Sequence, residues 1–524
     1  MRTTLALLLS AAALAAQVTP ERLNNALGEP QNWLTYWGDY SAIRHRELKQ
    51  INTANVKDLK LAWIYQTGRG GSNETMPLVV DGIMYLTAGD GVAMAVDAKS
   101  GRELWQYKHK YPAGVKATAV NRGFAILGTT LYMVTPDSWV VALEAATGKL
   151  VWQSEMAPWH EGTHYASLAP LAIKDKILVG ISGGEQGVRG FIDAYDAKTG
   201  KRLWRFWTIP LKGEPGGDTW AGDSAQRGGG PAWMTGTYDP KLNLTYWGVG
   251  NPGPDLYGDV RKGDNLYSCS LVALDPDTGK LKWHFQFTPH DTHDWDAEET
   301  PVLLDLDWKG KPRKLVVQAN RNAFFYVLDR ETGEFLMGKP FMKQTWAKGL
   351  DAKGRPILDG NAEPTPEGKR VCPSLAGGAN WMAPSYNPQT KLFYFQVRDA
   401  CDVYYAAPPT YVEGKPYWGS VSRGVTDEKE SGLLKALDPL TGETRWDFRY
   451  YRAPWAGTLS TAGGLIFSGD EDGYLMAFDA KTGKNLWKVS LGTRIVTAPI
   501  TYAIDGKQYI TLPSGGAVVT FTLP

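Results

Sequence analysis

The sequence predicts an all-β fold, because a pattern typical of two strands joined by a tight turn occurs seven times in 524 residues. Each copy has an acidic residue, a Gly four positions later and, in six copies, a Trp eight positions after the acid. The acidic residues of these six copies are Asp97, Glu144, Asp196, Asp275, Asp438 and Asp479. The seventh copy begins at Asp329 and has Met337 in the place of the Trp. Such a repeated unit predicts a solenoid, an array or a propeller of similar sheets.

The residue types within each copy agree with this interpretation. An apolar run such as Leu475–Phe478 precedes the acid, as in a buried strand. The Asp and Thr side chains of the turn can bond to the amides of the turn itself, and the Gly tolerates the positive φ that the turn requires. The Trp then begins the following strand as a large apolar side chain with one polar N–H group.

The two ends of the chain supply the remaining strands. Residues 59–63 are typical of the strand that follows a repeat turn, but no turn precedes them. Residues 499–503, 508–512 and 517–523 are three strands without a fourth. Together the ends complete one sheet, which would close a ring without open edges. Seven copies and this shared sheet predict a single domain over residues 17–524, an eight-bladed β-propeller of four-stranded antiparallel blades, closed by N- and C-terminal strands.

Two intervals between copies are much longer than the others. They contain the Gly- and Pro-rich stretches Gly213–Gly230 and Gly349–Gly378. Long insertions on one face of a propeller usually build the binding site or cover it. We therefore expect that these two stretches shape the site.

The composition and the first residues indicate the compartment and exclude some partners. The net charge is +1, which does not favour a nucleic acid or an anionic membrane as a partner. Residues 1–16 combine Arg2, the apolar run Leu5–Leu9 and small residues, as in a cleaved secretory signal peptide. The apolar run is shorter than the roughly 18–20 residues of a membrane anchor. We expect an exported protein without a membrane anchor.

Three short segments contain polar residues where a ligand could bind. They are Ser182–Glu185, Gly248–Pro252 and Pro289–Asp296, the last with three acids and two histidines. Their carboxylate and amide oxygens suit a hard cation such as calcium. Each segment alone is equally compatible with an ordinary solvent loop. A zinc hydrolase site is a further alternative, but the sequence lacks a His-x-x-x-His pair and a clear third ligand.

Segments in different repeats together carry a wider resemblance. They are Glu74–Gly82, Val120–Gly123, Ser182–Glu185, Gly250–Pro252, Asn320–Asn322, Gly378–Trp381 and Trp455–Gly464. With them the chain resembles the pyrroloquinoline-quinone (PQQ)-dependent alcohol dehydrogenases, the methanol and ethanol dehydrogenase family of eight-bladed propellers. The resemblance covers nearly everything from Asn32 to Gly516. It implies a periplasmic enzyme that oxidises an alcohol to an aldehyde or a ketone.

The family pattern also implies roles at a PQQ site. Arg122, with Glu74 and Ser167, would hold the carboxylates and carbonyls of PQQ, and Ser167 stands where the family commonly has Thr. Trp233, which belongs to no repeat, would form a flat floor under the quinone rings. The other cofactor-binding residues that the resemblance implies are Ser182, Gly183, Gly184, Arg321, Asn380 and Trp455.

The resemblance further implies a metal ion held by Glu185, Asn251 and Asp294. Asp294 would also be the catalytic base, with Arg321 as a second catalytic residue beside the reactive carbonyls. Calcium-dependent members usually have a small residue two positions after the base, whereas lanthanide-dependent members have a second Asp, here Asp296. An extra carboxylate suits a trivalent ion. We expect a lanthanide, with Ca²⁺ as the alternative, since some calcium-binding sugar and polyol dehydrogenases share a similar Asp-x-Asp.

Three departures from the family pattern change the expectations. Residues 115–118 replace the vicinal Cys pair that would cover the other face of PQQ, and Pro231 replaces a frequent Thr. No Cys-x-x-Cys-His follows the propeller, so we expect electrons to leave to a separate acceptor such as a soluble c-type cytochrome. A homodimer is left open. The missing Cys pair also keeps open a second function, a cofactor-free scaffold propeller of the outer-membrane-assembly type.

The resemblance also bears on the three cysteines of the chain. Family members commonly bridge two cysteines at places comparable to Cys372 and Cys401, and an oxidising compartment permits this bond. The resemblance therefore implies a disulfide between them. Cys269 lies in a strand-like run and is expected to be a buried thiol.

Overall fold

The computed structural model describes residues 17–69, 73–115, 120–160 and 163–524. The signal peptide predicted at 1–16, and most of the segment without the Cys pair, lie outside these ranges. The described chain is all-β and propeller-like. Its short helical segments are α1 (Pro20–Asn24) and 3₁₀ turns at Ala26–Gly28, Val56–Asp58, Gly184–Gln186, Gly217–Thr219, Ser224–Arg227 and Gly258–Arg261.

The first five large sheets are antiparallel meanders of four consecutive strands. Before them the chain forms β1 (His45–Arg46) and β2 (Lys60–Gln66). The first sheet contains β3 (Leu78–Val80), β4 (Ile83–Ala88), β5 (Val92–Asp97) and β6 (Glu103–Lys108); the second contains β7 (Ala125–Leu127), β8 (Thr130–Val134), β9 (Trp139–Glu144) and β10 (Leu150–Glu155); the third contains β11 (Leu171–Ile173), β12 (Lys176–Gly180), β13 (Phe191–Asp196) and β14 (Arg202–Trp207); the fourth contains β15 (Thr237–Asp239), β16 (Leu244–Val249), β17 (Ser270–Leu274) and β18 (Leu281–Gln286); the fifth contains β19 (Val302–Trp308), β20 (Lys311–Ala319), β21 (Phe324–Asp329) and β22 (Phe335–Pro340).

The long insertion after the fifth sheet forms two small sheets of its own. They contain β23 (Ala347–Leu350) with β24 (Pro356–Leu358), and β25 (Lys369–Val371) with β28 (Asp402–Tyr404) and β29 (Ser422–Gly424). The sixth large sheet contains β26 (Ser385–Asn387), β27 (Leu392–Asp399), β30 (Ser431–Leu437) and β31 (Thr444–Tyr450). Part of the insertion therefore leaves the sixth sheet between its second and third strands and returns to it.

The last two large sheets take strands from both ends of the chain. The seventh contains β32 (Thr458–Thr461), β33 (Leu465–Gly469), β34 (Tyr474–Asp479) and β35 (Asn485–Ser490), with β1 added parallel to β32; the eighth contains β36 (Ile500–Ile504), β37 (Lys507–Ser514) and β38 (Ala517–Thr522), with β2. Strand β2 pairs antiparallel with β38, from Lys60 opposite Thr522 to Gln66 opposite Ala517. The predicted sharing of one sheet by the two ends is confirmed.

The repeat turns form the hydrogen bonds that their residues predict. In the first copy the Asp97 Oδ1 atom accepts from the N–H groups of Lys99 (3.1 Å) and Ser100 (2.8 Å). Gly101 closes the turn at a φ of +72° and donates its N–H to the Asp97 carbonyl at 2.8 Å. The acid and the Gly of the pattern are thus explained by the turn itself.

The Trp of the pattern contacts the turn of the next sheet. Trp105 Nε1 donates to the Ala145 carbonyl at 2.9 Å, and a Cβ atom on Gly148 would lie 2.5 Å from the Trp105 ring. The same pair of contacts joins Trp63 to the Gly101 turn, Trp152 to Gly200, Trp204 to Gly279, Trp283 to Gly333 and Trp446 to Gly483. The Gly therefore serves two needs, a positive φ and room for the indole of the preceding sheet.

The apolar core lies between neighbouring sheets. One buried cluster contains Val141, Leu178 and Val272, which belong to the second, third and fourth sheets. The described chain contains no helix long and apolar enough to cross a bilayer.

The cysteines have the predicted arrangement. A disulfide joins Cys372 to Cys401 in the insertion, and Cys269 is a buried thiol. Burial raises the pKa of the Cys269 thiol well above its usual value. Both predictions are confirmed.

Candidate active site

The predicted site residues lie on loops at one edge of several sheets. Arg122, Ser167 and Trp233 precede the first strands of the second, third and fourth sheets. Glu185 and Arg321 follow the second strands of the third and fifth sheets. Because neighbouring strands are antiparallel, the start of a first strand and the end of a second strand lie at the same edge. These loops meet around a cavity of about 420 Å³.

The cavity brings most of the predicted residues together. It is lined by Val120, Arg122, Tyr165, Ser167, Ser182, Glu185, Trp233, Asp294, Asp296, Arg321, Asn380, Trp381 and Trp455. The predicted residues outside this lining are Glu74, Gly183, Gly184 and Asn251. Val120, Tyr165 and Trp381 line the cavity but were not among the predicted site residues, although Val120 and Trp381 lie in two of the quoted motifs. Tyr165 lies two positions before Ser167 and Trp381 directly follows Asn380, so the neighbourhood of these motifs carried the signal.

Arg122 forms one end of the cavity. Its Nη2 atom lies 2.7 Å from Glu74 Oε2, and its Nη1 atom donates to Ser167 Oγ at 2.7 Å. Its Cζ atom lies 4.9 Å from the ring centroid of Trp233 and 5.4 Å from that of Trp381. The guanidinium thus contacts two indoles and one carboxylate. This end of the cavity combines a fixed positive charge with flat apolar surfaces.

Asp296 connects three walls of the cavity. Its Oδ1 atom accepts from the backbone N–H of Asn251 at 2.6 Å. Its Oδ2 atom accepts from Trp233 Nε1 at 3.1 Å and from Arg321 Nη1 at 2.5 Å. Charge-assisted hydrogen bonds of this kind are stronger than neutral ones. The buried Asp296 carboxylate therefore holds the Trp233 indole in a defined position relative to Arg321.

Asp294 lies beside Asp296 on the same guanidinium. Arg321 Nη2 is 3.3 Å from Asp294 Oδ2 and also donates to the Leu375 carbonyl at 2.8 Å. Asp294 has a φ of +61°, a left-handed conformation that is uncommon for residues other than Gly. Backbone strain of this kind is concentrated at functional sites. The strained residue is here the one predicted to be the base.

Burial and neighbouring negative charges raise the pKa values of two acids of the site. Burial raises the pKa of Asp294 well above its usual range, and the charges of Asp296 and Glu185 add to this effect against the opposing charge of Arg321. Burial and then the charge of Asp296 raise the pKa of Glu185. Burial alone would lower the pKa of Arg321, but the charges of Asp294 and Asp296 outweigh it and raise the value. The acids together favour a cation in the cavity.

The residues that the resemblance implies as metal ligands could hold a cation together with additional oxygen ligands. Asn251 Oδ1 is buried and has no hydrogen-bond partner among the described residues. In those same ranges no three His, Cys, Asp or Glu side chains are grouped so that they could hold an ion by themselves. Asp294 and Asp296 are instead turned towards Arg321. The residues fit a cation only when amide and non-protein oxygens complete its shell.

The two residues Ser374 and Leu375, shortly after the disulfide-bonded Cys372, contact the site. The Leu375 N–H donates to Asp402 Oδ2 at 3.0 Å, while the Leu375 carbonyl accepts from Arg321. Trp295 Nε1 donates to the Ser374 carbonyl at 3.1 Å. The segment that follows Cys372 thus supports both Arg321 and the residue between the two acids. The insertion contributes to the site by positioning these groups.

A pair of stacked indoles forms another side of the cavity. The rings of Trp381 and Trp455 are 6.4 Å apart with an interplanar angle of 21°. Arg398 lies over the Trp455 ring, with its Cζ atom 4.0 Å from the centroid. Asn380 donates from Nδ2 to the Ala376 carbonyl at 2.9 Å. This side is aromatic, and its Asn380 side chain is held by Ala376 of the insertion.

A comparison with protein families decides the relationship. The PQQ family model, described as the beta-propeller domain of glucose/ethanol/alcohol dehydrogenase, matches residues 33–342 and 452–510, which is more than half of the chain. The chain belongs to the PQQ-dependent alcohol dehydrogenase family. The predicted resemblance is confirmed.

Individual members of this family are similar along nearly the whole chain. Quinohemoprotein alcohol dehydrogenase ADH-IIG of Pseudomonas putida is 39% identical over 98% of this chain and 76% of its own length. The lanthanide-dependent methanol dehydrogenase of Methylacidiphilum fumariolicum is 36% identical over 99% of this chain and 92% of its own. The structure of a europium-containing methanol dehydrogenase has a TM-score of 0.91 at 34% identity and covers 96% of this chain and 100% of that chain. These relatives are oxidoreductases, which favours an enzyme over the scaffold alternative.

Proposed function

We propose that this family member oxidises an alcohol to an aldehyde or a ketone, with PQQ as the bound oxidant and a soluble c-type cytochrome as the separate electron acceptor. The observation that carries the proposal is the meeting of Asp294, Asp296 and Arg321 beside the Trp233 indole in one cavity. A base, acids that can hold a cation and a flat aromatic wall are the parts that such a reaction needs from the protein.

Buried polar atoms without partners support a polar ligand in the cavity. Ser182 Oγ and the Nε atoms of Arg122 and Arg321 are buried and have no hydrogen-bond partner among the described residues. Each such atom costs roughly 1–3 kcal/mol unless a ligand satisfies it. All three residues line the cavity. Their N–H and O–H donors match the carboxylate and carbonyl oxygens of PQQ.

We assign the residues around PQQ as the family pattern implies. Arg122, Glu74 and Ser167 would hold its carboxylate end, and Arg321 would contact the reactive carbonyls. Trp233 would lie under the rings. The remaining contacts would come from Ser182, Gly183, Gly184, Asn380 and Trp455.

The reaction then divides between the cofactor and the chain. When bound, PQQ would supply the two-electron oxidation of the alcohol, and a metal ion would supply Lewis-acid polarisation. Asp294 takes the hydroxyl proton as general base. Because Asp294 Oδ2 is bonded to Arg321, we assign proton transfer to its Oδ1 atom. Trp233 excludes water from one face of the site.

We propose that the ion is a lanthanide held by Glu185, Asn251, Asp294 and Asp296, with Ca²⁺ as the alternative. The unpaired Asn251 oxygen and the raised pKa values of Glu185 and Asp294 support a cation at this place. Two relatives, one named lanthanide-dependent and one europium-containing, support the trivalent ion. The extra carboxylate of Asp296 adds the charge that such an ion requires.

We also propose that the eight large sheets form a closed eight-bladed ring over residues 17–524. The contacts between a repeat residue and the next turn support this arrangement. They lead from Trp63 of the eighth sheet to the first sheet and onwards, and Trp487 of the seventh sheet contacts Phe521 of the eighth at 5.5 Å between ring centroids. A ring of blades would leave only short edge strands.

The compartment that we propose is the periplasm. The Cys372–Cys401 disulfide supports an oxidising environment, because such bonds persist outside the cytosol. The predicted signal peptide at 1–16 would direct export. A soluble c-type cytochrome is the acceptor type that fits this compartment.

Reconstitution tests the proposed activity. Apoprotein would be mixed with PQQ and either La³⁺ or Ca²⁺, and alcohol oxidation would be followed with an artificial dye. We expect activity only with PQQ and a metal, and higher activity with La³⁺. The lanthanide assignment would be contradicted if activity with Ca²⁺ equals or exceeds that with La³⁺ and Asp296→Ala does not change it. The dehydrogenase proposal would remain intact. No PQQ-dependent activity with any primary, secondary or polyol substrate would contradict the function itself.

A further inference from the structure

A third acid follows the two acids of the site at the same spacing. Asp294, Asp296 and Glu298 alternate with Trp295 and Ala297 in the segment that leads into β19. Trp295 and Ala297 are completely buried in an apolar cluster. Asp294 and Asp296 line the cavity, and Glu298 contacts the backbone of Trp233, which forms one of its walls. The family motif gives Glu298 no role.

The Glu298 carboxylate bonds to the backbone of Trp233. Its Oε1 atom accepts from the Trp233 N–H at 3.3 Å, and its Oε2 atom accepts from the Met234 N–H at 3.1 Å. Glu298 is only 2% exposed. A buried carboxylate that uses each oxygen for one of two consecutive amides fixes the direction of the backbone between them.

Trp233 is therefore held at two places by one short segment. Glu298 binds its backbone, and Asp296 binds its indole N–H at 3.1 Å. The same segment carries Asp294, the proposed base. The position of the indole relative to the base is thus determined within five consecutive residues, without passing through the sheets.

We infer that Glu298 is a positioning residue that fixes Trp233, and through it the cofactor, at a set distance from Asp294. The inference rests on the proposed function, because it takes Trp233 as the wall on which PQQ lies. It goes beyond that function by assigning a residue that acts through the backbone of Trp233 and not through the cofactor. Small displacements of positioning groups have large effects on rate.

Glu299 provides a matched control. It is also a buried glutamate, with 3% exposure, and it is the next residue in the chain. Its Oε2 atom accepts from Asn320 Nδ2 at 3.3 Å. Within the described residues no hydrogen bond joins its side chain to Trp233. If the removal of a buried carboxylate were itself the cause, both variants would show the effect. If the contact with Trp233 is the cause, only the Glu298 variants will show it.

The first measurement uses apoprotein and does not depend on PQQ. Hydrogen–deuterium exchange of the peptide that contains Trp233 and Met234 would be compared among wild type, Glu298→Ala, Glu298→Gln and Glu299→Gln. We expect exchange at these amides to be at least tenfold faster in Glu298→Ala. Glu298→Gln, which keeps one acceptor oxygen, should be intermediate, and Glu299→Gln should remain within twofold of wild type.

The second measurement uses protein reconstituted with PQQ and La³⁺. We expect Glu298→Ala to weaken PQQ binding about tenfold, measured by quenching of tryptophan fluorescence, and Glu298→Gln about threefold. The alcohol KM should change less than kcat, because the substrate is bound after the cofactor is placed. Glu299→Gln should leave PQQ affinity within twofold.

Each outcome decides between positioning and simple packing. If Glu298→Ala does not fold, Glu298→Gln alone decides the question by its exchange and PQQ affinity. Unchanged Trp233 exchange and PQQ affinity in Glu298→Gln, or equal effects in Glu299→Gln, would overturn the inference. If wild type fails to bind PQQ, the proposed function fails, but the exchange measurement still shows whether Glu298 holds Trp233.

Discussion

Two tryptophans, one of the repeat and one of the site, show how this chain builds its frame and its cavity differently. Trp105 donates its N–H to a backbone carbonyl, that of Ala145, and lies over a Gly. Trp233 donates its N–H to a side chain, Asp296, and is held by another side chain, Glu298. A backbone acceptor is available at every turn, so the first contact can recur around the molecule. A side-chain acceptor must be supplied by one particular residue, so the second contact cannot recur from turn to turn.

Because of this difference, we expect substitutions at the repeat turns and at the site to have different effects. Changes at the repeat turns should alter the free energy of unfolding and leave the site chemistry alone. Changes at the site should alter binding or rate with little effect on folding. The following predictions test this separation, beginning with the largest effect.

Asp294→Asn should reduce the rate of alcohol oxidation by roughly 10²–10⁴-fold, the usual contribution of a general base. The amide keeps the shape of the side chain but cannot take the hydroxyl proton. The measurement is kcat of PQQ- and metal-reconstituted protein, with the apoprotein's urea unfolding midpoint as the check on folding. A variant that retains a third or more of wild-type kcat would show that another group is the base.

Arg122→Ala should weaken PQQ binding by about 100-fold, or about 2.7 kcal/mol, because the guanidinium is the positive end of the cavity. Arg102→Ala is the matched control, since Arg102 is an exposed arginine on a repeat turn. The PQQ dissociation constant would be measured by tryptophan quenching for both variants. Wild-type affinity in Arg122→Ala would show that the family assignment is wrong at the second sheet.

Gly148→Ala should destabilise the protein more than Gly506→Ala. Both glycines have a positive φ, near +69° and +76°, so both substitutions incur a conformational cost of about 1 kcal/mol. Only Gly148 lies against an indole, where the new Cβ would be 2.5 Å from the Trp105 ring; nothing lies within 4 Å at Gly506. We expect about 1–3 kcal/mol of additional loss at Gly148 from this clash. Equal urea midpoints for the two variants would show that the Trp105 indole can move away from the new Cβ without a loss of stability.

The sequence could predict the turns because each turn is determined by its own residues. Asp97 and Gly101 act within five residues, and their spacing appears directly in the pattern. The docking of a Trp on the next turn could not be predicted, because the pattern does not state which copy is the spatial neighbour. The shared sheet was predictable only because strands were missing at both ends.

Only those site residues that lie in recognisable motifs could be predicted from the sequence. Asp294, Asn251 and Arg321 were found through motifs, and the structure brings them close together. Glu298 was missed, because an acid in a segment rich in acids is typical of a solvent loop, and only the fold shows that it is buried against the Trp233 backbone. The roles of these residues towards PQQ stay predictions until the experiments above are done.

The smallest expected effect concerns the copy without a Trp. In the other six copies the residue opposite the Trp is Ala, as in the pairs Ala95–Trp105 and Ala477–Trp487. Opposite Met337 it is Val327. The combined volume of the two paired side chains is therefore similar in all seven copies. Six pairs join a large residue to a small one, and the seventh joins two residues of intermediate size. The next turn keeps its Gly442, but that residue faces Lys339 and not an indole.

We therefore expect Met337→Trp and Val327→Ala to depend on each other. Met337→Trp alone should cost about 1–2 kcal/mol by overpacking against the completely buried Val327, and Val327→Ala alone a similar amount by leaving a cavity. The double variant should be more stable than the sum of the two losses by at least about 1 kcal/mol. Urea unfolding of the four apoproteins measures this coupling, and Ala142→Val with Trp152→Met is the reverse exchange in the second sheet. Additivity within about 0.5 kcal/mol in both cycles would show that the Gly contact, and not the cross-strand volume, determines where a Trp is placed.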